Sequence, residues 1–132
     1  MLHTKVDVTE LACEYFNNGY SCSESVIKAF SDAGIVREDL VGVATSFSGG
    51  MSSGCLCGAI AASQMVIGAL HGKDKDNTAR ALAKEFVSRF KAEKQATCCK
   101  FLSAGYEFSS PERKTKCTEL VRFCTEILKE LL

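Results

Sequence analysis

"GGMSSGCLCGAIAAS", residues 49–63, is the stretch on which the fold class turns. Gly49 and Gly54 have the separation that opens a phosphate-binding loop between a strand and a helix. Cys55 and Leu56, however, stand where that loop requires lysine and then serine or threonine. No strand pattern precedes the glycines, which also removes the dinucleotide-binding fingerprint. Leu56 to His71 is a run of apolar and small residues of helix length, closed by Gly72. The stretch therefore reads as a loop that enters a helix within a helical protein.

The flanking segments agree. "REDLVGVATSF" (37–47) reads as a weaker helix, with Gly42 inside it. Upstream, "SCSE" has capping-box spacing at Ser21 and Glu24, and Val26, Ile27 and Phe30 follow at helical intervals toward Gly34. A first helix is expected over about Thr9 to Asn17, ended by Gly19. Downstream, "KDKDN" (73–77) reads as a solvated turn before a helix from about Thr78 to Lys94, with Leu82, Phe86, Val87 and Phe90 apolar. "ATCCKFL" suits a short turn or helix. Ser110 followed by Pro111, the single proline, marks the start of a last helix. The prediction is an all-α, single-domain bundle of five or six helices covering residues 1–132.

Bulk properties narrow the function. Sixteen basic and sixteen acidic residues cancel, so there is no cationic surplus to attract nucleic acid or anionic lipid. The N-terminal segment carries charges and no apolar core of signal-peptide length, and Leu56 to Leu70 is too short to span a bilayer. The expected protein is cytoplasmic, without nucleic-acid binding or membrane insertion. Eight cysteines in a reducing compartment point to metal or redox chemistry rather than a disulfide framework.

The cysteine placement carries the chemistry. With a helix beginning near Cys55, Cys57 falls in its first turn, where free N–H groups and the helix dipole stabilise a thiolate. Cys22 repeats this after Ser21, and Cys98 and Cys99 follow Thr97, a candidate third cap. Cys117 is either a core residue or a partner facing Cys57. Cys13 and Cys124 lie in helical stripes and read as core. Gly54, Gly58 and Ala62, four apart, leave one side of the helix bare for close packing. A zinc knuckle fits poorly, because Cys55-x-Cys57 is too tight and no Cys-x-x-Cys occurs. His71 reads as an exposed cation at a helix end and His3 as part of a tail, neither of them a base.

"GYSCSESVIKAF", "GCLCGAIAA", "CCKFL" and "KCTELV", in this order, resemble the C_GCAxxG_C_C family of redox-active proteins from about residue 12 to 125. The resemblance implies that Cys22, Cys57, Cys99 and Cys117 are the family cysteines, with Cys98 as a substitute for Cys99. The family's central motif ends in glycine, whereas Ala62 stands there in this chain.

Three functions follow as expectations. In the first, Cys22, Cys57, Cys99 and Cys117 converge as catalytic, metal-ligating and cofactor-binding residues around an iron–sulfur cluster used for electron transfer. In the second, no metal is present and Cys57 attacks disulfides, with Cys22, Cys99 or Cys117 resolving the mixed disulfide. In the third, the chain is a helical interaction module with packing cysteines. A redox partner protein is expected, and a homo-oligomer is left open.

Overall fold

The computed structural model describes residues 7–73, 76–107 and 109–132. The readings of His3 and of residues 74 and 75 in the charged turn lie outside the described residues. Helices α1 (Val8–Asn17), α2 (Cys22–Asp32), α4 (Gly58–His71), α5 (Thr78–Lys94) and α7 (Pro111–Leu131) are the long elements, and α3 (Leu40–Ala44) and α6 (Cys99–Leu102) are short. The described residues thus form seven helices rather than five or six. The short pair accounts for the difference: Gly42 and the tight turn at Thr45–Phe47 cut the 37–47 segment down to five residues, and α6 is a single turn. Among the described residues there is no strand, only the antiparallel bridge Leu56–Cys98.

Local chemistry sets most helix starts. Asp7 accepts the Thr9 N–H at 3.0 Å and begins α1. Ser21 and Glu24 complete a reciprocal capping box on α2, with bonds of 3.2 and 3.0 Å. Ser110 accepts the Arg113 N–H at 3.1 Å, with Pro111 at the first helical position where no N–H is needed. Thr97 does not cap α6, because Cys98 holds that position and makes no side-chain cap bond.

α4 lies at the centre, against α2, α5 and α7, while α1 closes α2 and α7 from the other side. Its first six residues are all buried, as expected of a helix covered on several faces. Phe30, Phe86, Phe90, Ile27, Ile60 and Ile67 fill the interior. At the surface Glu10 pairs with Arg122 and Asp7 with Lys129, joining α1 to α7. Among the described residues no helix is long and apolar enough to cross a membrane.

Between α3 and α4 the backbone turns left-handed. Gly49, Gly50, Met51, Ser52 and Gly54 all have φ between 56° and 73°. Such angles come freely only to glycine, and each non-glycine held there costs about 1–2 kcal/mol. Strain of this kind persists where the surroundings enforce it. Gly50 in this turn lies against Cys55 and Cys99, where a Cβ would collide with both.

Candidate functional site

Cys22, Cys57, Cys99 and Cys117 line one cavity of about 380 Å³, on which α2, α4, α6 and α7 each present a single thiol. Cys22 is the first residue of α2, placed by the capping box of Ser21. Cys57 is the N-cap of α4 and is only 5 % exposed. Cys99 opens α6, and Cys117 sits two turns into α7.

Backbone contacts hold these segments together. The Cys57 N–H donates to the Thr97 carbonyl at 2.8 Å and the Cys99 N–H to the Cys55 carbonyl at 2.5 Å. These two bonds flank the Leu56–Cys98 bridge and clamp the entry of α4 to the entry of α6. A Cβ on Gly58 would stand 2.6 Å from Cys22 Sγ and 2.8 Å from the Phe47 carbonyl oxygen. A Cβ on Gly50 would stand 2.6 Å from the Cys55 nitrogen and 2.7 Å from Cys99 Cβ. Glycine at both places lets the thiol-bearing chains approach, so the bare side of α4 at Gly58 serves the sulfur of Cys22. Gly54 is not part of that helix face: it lies in the left-handed turn, under the stem of Lys100.

The electrostatics differ from the thiolate expected at a helix start. The Cys57 thiol is pushed up to about 12, first by burial and then by the neighbouring Cys22, against the N–H groups of Ile60 and Ala59. Dehydration outweighs the helix terminus here because the group is almost fully enclosed. Burial also raises the Cys22 thiol, opposed by the Gly49 and Ser23 N–H groups, with Cys99 adding to the rise. Cys117 is raised by burial, lowered by Arg113, and raised again by Cys22 and Cys99. The four sulfurs therefore lie within electrostatic reach of one another, and a negative charge on one disfavours it on the next.

The other cysteines stand apart. Cys55 is exposed and Cys98 donates to the Gly54 carbonyl at 3.1 Å, and neither lines the cavity. Cys13 is buried between α1 and α7 near the Thr118 carbonyl. Cys124 is fully buried, and its thiol is raised well above its ordinary value by burial and by Cys57. All eight thiols are free. One participant was missed in the sequence. Arg113 lines the cavity and its Nη2 donates to Cys99 Sγ at 3.7 Å. Its position four residues before Cys117 puts it on the same helix face, a signal that was present.

Among the described residues no group of three or more His, Cys, Asp or Glu side chains is arranged to hold a metal ion. Four thiolates on one zinc at about 2.3 Å would bring their sulfurs within about 4 Å of each other. The thiols here surround a space instead. A family model described as "Putative redox-active protein (C_GCAxxG_C_C)" matches residues 20–131, which include the whole cysteine set of the cavity. Searches of curated proteins and of solved structures return no match.

Proposed function

The chain belongs to the C_GCAxxG_C_C family, and from that membership we propose that it carries electrons on an iron–sulfur cluster held by Cys22, Cys57, Cys99 and Cys117. The observation that carries this reading is the single cavity of about 380 Å³ with one thiol from each of four helices around it. Cluster ligation asks for four thiolates around a body larger than one ion. It also asks for a dry site and N–H donors near sulfur, both of which set the reduction potential. Burial of Cys57, the N–H groups of Gly49 and Ser23 beside Cys22, and the Arg113 guanidinium on Cys99 supply these.

The raised thiols support the same reading. A thiol that ionises near 12 holds only about one part in 10⁵ as thiolate at neutral pH, which makes Cys57 a poor attacking group for disulfide exchange. Iron bound between the thiols would reverse that preference, because a coordinated thiol gives up its proton. Within the cavity this chain's own part is to position four sulfurs, exclude water and offset their negative charge. Electrons would pass to and from a redox partner protein, in a reducing compartment such as the cytoplasm.

Anaerobic purification with iron, acid-labile sulfide and absorbance measurements tests the proposal. Iron and sulfide in the wild-type protein, lost from Cys22→Ser, Cys57→Ser, Cys99→Ser and Cys117→Ser and kept in Cys55→Ser, is the expected result. Colourless, metal-free protein with these four thiols free would sink it.

A further inference from the structure

Outside the cysteine cavity lies a second hollow of about 530 Å³, and Cys99, Gly49, Ser48, Ser103 and Arg113 belong to the walls of both. Its remaining walls come from the left-handed turn, through Ser52, Ser53 and Gly54, and from α6 and the segment after it, through Lys100 and Tyr106. Two cations and four serines line this space, the hydroxyls of Ser48, Ser53 and Ser103 donating to the Thr45, Met51 and Cys99 carbonyls, and no acidic residue is among the described residues that line it. In a chain whose charges balance overall, that local composition is a marked imbalance.

Lys100 is also held in place. A Cβ on Gly54 would meet Lys100 Cβ and Cε, each at 3.3 Å, so the lysine stem lies along the bare glycine of the turn. An ordered stem reduces the rotamer entropy lost when its ammonium binds a ligand. Arg113 adds a planar fork of donors matched to oxyanions. Met51 and Ser52, non-glycine residues at positive φ, mark this rim as a place where the fold accepts backbone strain.

We propose that this outer hollow binds a small oxyanion between Lys100, Arg113 and the Ser52 hydroxyl of the left-handed turn, against the outward side of Cys99. The site has nothing of the nucleotide loop ruled out by Cys55 and Leu56. Its charge comes from α6 and α7, and its hydroxyl donor, Ser52, from the turn. Binding there needs no metal. If the cluster reading also holds, the anion sits beside the one ligand cysteine shared by both spaces, where a bound negative charge would disfavour reduction.

Isothermal titration calorimetry of the full chain with inorganic phosphate tests the proposal, and a parallel titration with succinate separates a tetrahedral oxyanion from a carboxylate. The expected result is saturable one-site binding of either probe, weakened about tenfold by Lys100→Gln. Binding should be retained in Lys100→Arg and in Lys28→Gln, a substitution outside this hollow. Absence of saturable binding by both probes, or binding indifferent to Lys100→Gln, overturns it. Cys22 does not line the outer hollow, so Cys22→Ser distinguishes the two readings. It is expected to lose iron and keep phosphate binding, whereas Lys100→Gln keeps iron and binds phosphate about tenfold more weakly.

Discussion

Alanine at Gly58 tests whether the cysteine cavity depends on a bare backbone at the start of α4. The added Cβ would stand 2.6 Å from Cys22 Sγ and 2.8 Å from the Phe47 carbonyl oxygen. Comfortable contacts begin at about 3.5 Å, so both neighbours must retreat by nearly an ångström. One of them is backbone and the other is fixed by the first turn of α2. Overpacking a filled site costs about 1–3 kcal/mol, and two simultaneous collisions place Gly58→Ala near about 2 kcal/mol. Gly68 supplies the internal control, because a Cβ there meets nothing within 4 Å. Gly68→Ala should gain about 0.5–1 kcal/mol from the lower backbone entropy of the unfolded chain. One helix therefore carries two glycine-to-alanine changes of opposite sign. With a urea slope of about 2 kcal/mol per molar, the denaturation midpoint falls by about 1 M for Gly58→Ala and rises by about 0.4 M for Gly68→Ala. Iron per chain should fall in the first variant only. A Gly58→Ala midpoint equal to wild type, or both midpoints moving the same way, would refute the close approach of Cys22.

Alkaline conditions offer a second test. Cys57 has an ordinary value of 9.0 and is held at about 12 in the fold, so between these pH values the unfolded chain binds fewer protons than the native one. Stability is then full below pH 9 and falls as pH rises, by about 1.4 kcal/mol per unit for each such group. Urea midpoints of iron-free protein between pH 8 and 11 should show this decline, and Cys57→Ala should make it shallower, with the raised thiols of Cys22, Cys117 and Cys124 sustaining the rest; a midpoint that rises over that window contradicts the assignment. Ser21→Ala removes one arm of the capping box and should cost about 1 kcal/mol, read as a urea midpoint lower by about 0.5 M.

The helix starts at Ser21 and Ser110 were legible because a cap is a matter of four adjacent residues, and both bounds agree with the structure. Cys22, Cys57, Cys99 and Cys117 were legible as a set through the order of their motifs, which is why Cys99 rather than Cys98 was favoured. The left-handed turn was not. Met51 and Ser52 have side chains that disfavour positive φ, so local preference points away from the conformation they adopt. The bridge from Leu56 to Cys98 joins residues too far apart for any spacing rule. The protonation of Cys57 was misjudged for a related reason. Its helix start is local and visible, but its burial depends on α2, α6 and α7 closing over it.

The cavity also has an order in time. Cys22 and Cys117 are 95 residues apart, so at about 5–20 residues per second the first wall is synthesised roughly 5–20 seconds before the last. Over that interval Cys22, then Cys57, then Cys99 are made before the helix that completes their enclosure. Of the four elements that carry these thiols α7 comes last in the chain, so its docking sets when their exposure to oxidants and metal ions ends.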